Sequence, residues 1–179
     1  MARYPLDAMF SWINEAVREM RRLFEGDPSA FNAYTTCAIL YLDERQVVTA
    51  HCADSRIYRM NPAQISWHTK DHTIAQQWKD DGIIIEQPLV QQPGQNQLTR
   101  SINILNEPEP EFNIYPPANP GETFLLCTDG FWSNVTRQEL LLLAQPQNGI
   151  SELEELSKTA ILRAHGNSDN ATVQWLRNL

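Results

Sequence analysis

The chain is poor in cysteine, short of positive charge and without any long apolar run, and each lack removes a class of function. Three cysteines in 179 residues, Cys37, Cys52 and Cys127, form neither a C-x-x-C pair nor a His-spaced ligand set. A zinc ribbon and a disulfide framework are therefore excluded, and three thiols inside apolar runs are expected to be buried and reduced. Only 14 Lys and Arg stand against 22 Asp and Glu, a formal charge of -8. Such a balance repels nucleic acid and anionic lipid at long range. No apolar run approaches the roughly 20 residues needed to cross a bilayer. No basic-then-apolar leader opens the sequence and no internal repeat is visible, so a cytoplasmic chain with neither nucleic acid nor membrane as partner is expected. Acidity also disfavours phosphorylated substrates, unless bound cations reverse the field in a carboxylate-lined cleft.

What is present is enough apolar residue, 42%, for one globular domain spanning residues 1–179. Leu6, Phe10, Ile13, Val17, Met20 and Phe24 recur at three- and four-residue spacing, which predicts an amphipathic helix stopped by Gly26, Asp27 and Pro28. Arg18, Arg21 and Arg22 fall on its expected solvent face. Thr35–Leu42 and Gln46–Ala53 are β-branched and apolar runs joined by Asp43-Glu44-Arg45, which suits an antiparallel hairpin. Arg56–Met60 and Ile65–Thr69 are expected to extend that meander. Asp71 can cap a helix through Ile74, Ala75 and Trp78, with Gly82 as its stop. Phe112–Tyr115 reads as a short edge strand inside a proline-rich loop. Thr136-x-x-Glu139 and Ser151-x-x-Glu154 are capping boxes for two later helices, and Gly166 closes the second. Strands in runs, with helices before and between them, indicate an α+β fold with a largely antiparallel sheet or pair of sheets.

The chemistry sits at strand ends. Glu122–Thr128 is an apolar strand that delivers Asp129 at its tip, and Asp169 opens another strand, Asn170–Trp175. Asp54 follows the strand that ends at Ala53. Asp-Gly and Asp-Asn are also ordinary turn dipeptides. Three acids at three strand ends nevertheless form a hard-oxygen donor set suited to Mg²⁺ or Mn²⁺. His72 is expected to be structural. His51, His68 and His165 have no paired zinc spacing. Trp132 and Trp175 are expected to fill the core below the acidic tips, and Arg100 to touch either a phosphate or a carbonyl.

Six blocks in order carry a resemblance. Tyr34-Thr-Thr36, Ala53-Asp-Ser-Arg56, Thr69-Lys-Asp-His-Thr73, Leu98-Thr-Arg-Ser101, Thr128-Asp-Gly-Phe-Trp132 and Ser168-Asp-Asn-Ala-Thr172 resemble the G-T-T, G-D-S-R, T-x-D-H-S, L-T-R-A, S-D-G-L-W and S-x-D-N-I-T blocks of metal-dependent protein phosphatases of the 2C, or PPM, type. The resemblance implies a sandwich of two antiparallel sheets flanked by helices, with Mg²⁺ or Mn²⁺ between the sheets. It implies that two ions share a water that attacks phosphoserine or phosphothreonine, without a phosphoenzyme. Asp129 and Asp169 match ligands of the binuclear centre, and Asp54 an accessory ligand of a third, weaker ion. The implied partner is a phosphoprotein substrate, opposite a serine/threonine kinase.

The family's first strands, first helix and D-G-x-G-G segment have no counterpart in this sequence. The expectation is therefore an N-terminally incomplete domain: a fragment, a misplaced start or a degenerate relative. A catalytically silent module that binds a phosphoprotein or regulatory partner is the alternative. Ala53 and Tyr34 stand where the family has glycine.

Overall fold

The computed structural model describes residues 4–83, 93–164 and 170–179. Among them lie two antiparallel sheets with flanking helices, and the chain divides into two compact units.

The first unit comprises Met1–Asp54 and Asp71–Pro116. It opens with helix α1 (Tyr4–Leu23), followed by a 3₁₀ turn at Pro28–Asn32 whose cap is Asp27. Strands β1 (Cys37–Leu42), β2 (Val47–Cys52) and β5 (Glu111–Tyr115) form a sheet in the order β1-β2-β5. The β1–β2 hairpin forms as expected, because Asp43 accepts hydrogen bonds from the backbone N–H groups of Arg45 and Gln46 and closes the turn. β5 is an edge strand of that sheet, as its prolines suggested. Helix α2 (Ile74–Asp80) completes the unit.

Both faces of β2 are buried, and alternation along the strand divides its side chains between them. Val48, Ala50 and Cys52 join Met9, Ile13 and Val17 of α1 in one apolar cluster, so α1 lies on that face. The buried stripe of α1 is Met9, Ile13 and Val17, flanked by the half-buried Leu6 and Met20. Phe10 is 53% exposed, its ring 6.4 Å from that of Phe112. Four-residue steps from Met9 track the sheet better than steps from Phe10. Arg21 is also not on a solvated face: it donates to the carbonyls of Ile104 and Asn106 and to the Glu107 carboxylate, anchoring that loop. Arg18 and Arg22 are exposed and pair with Glu15 and Glu19.

The second unit comprises Ser55–Lys70 and Pro117–Leu179. Strands β3 (Arg56–Asn61), β4 (Gln64–His68), β6 (Thr123–Cys127) and β7 (Val173–Arg177) form a sheet in the order β4-β3-β6-β7. The expectation that β3 and β4 extend the first meander is thereby corrected. β2 ends at Cys52; Ala53, which follows, has a left-handed φ of +76°, and the turn there leads into a different sheet rather than a hairpin. Helices α3 (Asp129–Trp132), α4 (Arg137–Leu142) and α5 (Ile150–Arg163) cover one face of the sheet. Trp132, Leu140, Leu143, Leu153, Leu156 and Ala160 meet Tyr58, Met60, Leu125 and Cys127 there.

The capping box at Thr136 and Glu139 forms. The second box is shifted by two residues: Glu152, not Glu154, accepts from the N–H of Gly149, and Ser151 lies inside the helix. Gly166 lies outside the described residues. For α2 the cap is Thr73, whose hydroxyl accepts from Gln76 N–H, and Gly82 follows with a positive φ. Asp71 is instead buried and accepts from the Gln95 side chain, because its place two residues earlier leaves it outside the first turn.

Candidate metal centre

Register builds one end of the four-stranded sheet into a platform. Arg56 pairs with Cys127, and Cys127 with Val173, so the start of β3, the end of β6 and the start of β7 share that end. Asp129 follows it directly as the first residue of α3 and is half-buried. Thr128 stitches the platform together. Its N–H donates to Thr172 O at 3.0 Å, its hydroxyl donates to Asn170 O at 3.0 Å, and the same oxygen accepts from Thr172 N–H at 2.9 Å. The chain segments that carry Asp129 and Asn170 are thus held by three hydrogen bonds through one residue. Asp169, which precedes Asn170 in sequence, lies outside the described residues.

Below the tip, Trp132 is 5% exposed, and the Arg56 guanidinium stacks on its ring at 3.4 Å from the centroid. Arg56 also donates to the Tyr58 hydroxyl. Trp132 is in the core as expected, and Trp175 is half-buried against the same cluster, its indole N–H donating to Leu143 O. At the far end of the sheet, Arg59 and Glu122 form a buried ion pair. The guanidinium also donates to Pro117 O, and the Asn119 N–H donates to Glu122. Burial works against ionisation of Glu122, yet Arg59 and the Asn119 N–H outweigh it and hold the carboxyl below its ordinary range.

Asp54, half-buried, lies in the first unit, in the turn after β2. Its neighbour Ala53 is fully buried and is gripped by His72: Ala53 N–H donates to His72 Nδ1 at 3.2 Å, and His72 N–H donates to Ala53 O at 3.0 Å. This position, where the resembling family has glycine, is left-handed, the backbone region that glycine enters without cost and alanine does not.

Among the described residues, the one group of three His, Cys or acidic side chains with ligand atoms within 4.8 Å of each other is His51, His72 and Glu111. Sequence spacing missed it, because register rather than a local motif assembles it: His51 on β2 faces Glu111 on β5, and His72 arrives from the segment before α2. The available signal was a histidine in the middle of an apolar strand. His51 and His72 stack at 4.6 Å between centroids, and His72 Nε2 lies 3.4 Å from Glu111 Oε2. Metal-bound histidines donate from the nitrogen that does not bind the ion, whereas Nδ1 of His72 accepts. Nε2 therefore carries the ring proton, and the group fits a proton better than a cation. Arg100 is exposed; Cys52 and Cys127 are buried, Cys37 is half-buried, and all three thiols are free. Burial pushes the Cys52 thiol up to about 11.

Asp129, at the start of α3 in the second unit, and Asp54, in the turn after β2 in the first, each offer hard carboxylate oxygen, a donor type suited to Mg²⁺ or Mn²⁺ and not to a soft metal.

No family model matches the chain. A putative 2C-type protein phosphatase of Streptococcus pyogenes is 25% identical over 177 residues, covering 97% of this chain and 71% of its own length. The serine/threonine protein phosphatase PstP of Mycobacterium tuberculosis is 29% identical over 139 residues, 78% of this chain and 26% of its own. Among solved structures, the serine/threonine phosphatase of S. agalactiae matches all of this chain and 73% of its own, with a TM-score of 0.84 at 21% identity. The PstP catalytic domain in complex with two manganese ions matches 89% of this chain and 64% of its own, with a TM-score of 0.71 at 24% identity. The curated relatives and structural neighbours of this chain are thus serine/threonine phosphatases of the 2C, or PPM, type, and they share its two antiparallel sheets with flanking helices. None of these four is a binding module, so the silent alternative finds no support among them.

Proposed function

We propose that this chain, a relative of 2C-type phosphatases, is a metal-dependent serine/threonine protein phosphatase domain in which Asp129 and Asp169 bind Mg²⁺ or Mn²⁺ and Asp54 is an accessory ligand. The observation that carries the reading is the platform at the end of β6, where Thr128 ties the segment bearing Asp129 to Asn170, the residue after Asp169. Bound cations would supply an acidified water and absorb the charge that builds on the phosphoryl oxygens. The chain's own part is to orient its carboxylates. Asp129 is fixed by α3, whose first turn is closed by Ser133 N–H and Ser133 Oγ, both donating to Asp129 O. Trp132 and the stacked Arg56 exclude water beneath it.

In this reading the substrate is a phosphoserine or phosphothreonine protein, the opposing enzyme is a serine/threonine kinase, and the compartment is the cytoplasm. The acidic surface supports a protein rather than a nucleic acid substrate. No helix among the described residues is long and apolar enough to cross a membrane.

The test is hydrolysis of an aryl phosphate and a phosphothreonine peptide by the purified chain with and without Mn²⁺, beside Asp129→Ala. Mn²⁺-dependent turnover that falls by about 100-fold or more in the variant is expected, the scale of losing an inner ligand or its electrostatic equivalent. Turnover that persists in EDTA, or that Asp129→Ala leaves intact, would overturn the reading.

A further inference from the structure

We infer that His72 is a positioning residue: its Nδ1 latches the left-handed Ala53 backbone and so sets the direction of the Asp54 side chain toward a cation. The inference rests on the proposed phosphatase reading for the role of Asp54, and on geometry for the latch itself.

Three observations build it. Ala53 has φ +76°, the one positive φ among the described non-glycine residues, a region that a residue with a Cβ enters at a cost. Something must hold it there, and two hydrogen bonds from one residue do so, Ala53 N–H to His72 Nδ1 and His72 N–H to Ala53 O. His72 is itself fixed: its carbonyl accepts from Thr99 N–H, its ring stacks on His51, and its Nε2 faces Glu111, which accepts a further bond from Asn113. The latch is therefore anchored to β2 and β5, on the first unit's own sheet, and not to the mobile end of a long side chain.

The latch works with one protonation state. An unprotonated Nδ1 accepts from Ala53; a protonated one presents N–H to N–H, and the bond is lost. The titratable and charged groups around His72 are His51 from β2, Glu111 from β5 and Arg100 from the segment after α2; the Asp71 carboxylate beside it in sequence is engaged by Gln95. Burial, with His51, pushes the His72 pKa below its ordinary value and outweighs Glu111. The neutral, accepting form is thus the one the fold favours, and the latch opens as pH falls.

The experiment compares the metal-free chain with His72→Asn and His72→Gln. Asn places its side-chain oxygen near the position of Nδ1 and can accept from Ala53; Gln places its amide near Nε2 and cannot. Amide hydrogen exchange read by NMR should show Ala53 protection within about two-fold of wild type in His72→Asn and roughly ten-fold lower in His72→Gln, the loss of one buried hydrogen bond. Val48 in β2 serves as the reference for an intact sheet. In wild type, Ala53 protection should fall relative to Val48 as pH drops through the His72 titration, and His72→Asn should abolish that dependence. Mn²⁺ titration should then find the weaker ion held about ten-fold less tightly in His72→Gln and unchanged in His72→Asn. Equal Ala53 protection in both variants, or a pH-independent ratio in wild type, would overturn the latch. Ala53 responding as stated in a wild-type chain that binds no Mn²⁺ would uphold the latch and overturn the phosphatase reading.

Discussion

Ala53 carries the cost of a side chain in a backbone region suited to glycine, while its own methyl is buried. Replacing it with glycine removes the left-handed strain but frees the unfolded chain, so the two effects oppose. Strain relief of about 1–2 kcal/mol is offset by an entropic loss of about 0.5–1 kcal/mol and by about 0.8 kcal/mol for the buried methyl. Ala53→Gly should therefore change stability by less than about 1 kcal/mol, measured as a nearly unmoved urea midpoint at constant slope. At Glu122 the balance is different. Glu122→Ala would leave the buried Arg59 guanidinium facing Pro117 O without its countercharge. Breaking such a pair from one side costs about 3–5 kcal/mol, so this variant should be among the most destabilised single changes in the second unit. Replacing both residues with apolar side chains should recover most of that loss, and a double-mutant cycle separates the two outcomes.

Among elements, the capping box of α4 also joins α4 to α5. Glu139 receives two bonds of 2.7 Å from Arg163 as well as the Thr136 N–H, and these hold its carboxyl down at about 2. Because the folded value lies below the unfolded one, the stability this group supplies is full above about pH 4.5 and is lost as pH falls toward about 2. Exposure screens the pair, so at most about 1 kcal/mol is expected rather than the full shift. Acid titration of unfolding should show that slope in wild type and lose it in Glu139→Gln. Local chemistry of this kind was legible in the sequence: the Thr136 box, the Asp43 turn, the β5 edge and the strand that leads to Asp129 all formed where residue pattern placed them. What pattern missed depended on partners far along the chain. The assignment of β3 to a second sheet rests on pairing with β6 more than 60 residues later, which no local period encodes. The same holds for His51, His72 and Glu111, whose meeting follows from the β2–β5 register. The caps expected at Asp71 and Ser151 lie two residues away, at Thr73 and Gly149: Asp71 and Thr73 offered equivalent oxygens, whereas Gly149 has no side chain to signal a cap and is served by Glu152.

At the scale of the whole molecule, charge and metal act together. Two bound dications would change the formal charge of -8 to -4, since -8 + 4 = -4, so the chain stays acidic when loaded. Mn²⁺ present at about 100 times its dissociation constant should stabilise the folded chain by about 2.7 kcal/mol, provided the unfolded chain does not bind it. That corresponds to a rise in melting temperature of roughly 5–10 °C, to be abolished by EDTA and reduced in Asp129→Ala. The residual negative field bears on substrate choice. A phosphopeptide with basic flanking residues is drawn toward an acidic surface while its phosphate seeks the cations; one with acidic flanks is repelled at both stages of approach. For matched peptides at saturating Mn²⁺, kcat/KM should favour the basic flanks, and the advantage should shrink as ionic strength rises and the Debye length falls from about 30 Å at 0.01 M to about 8 Å at 0.15 M. A preference that does not respond to salt would mean that contacts close to the phosphate, not the acidic surface, select the substrate.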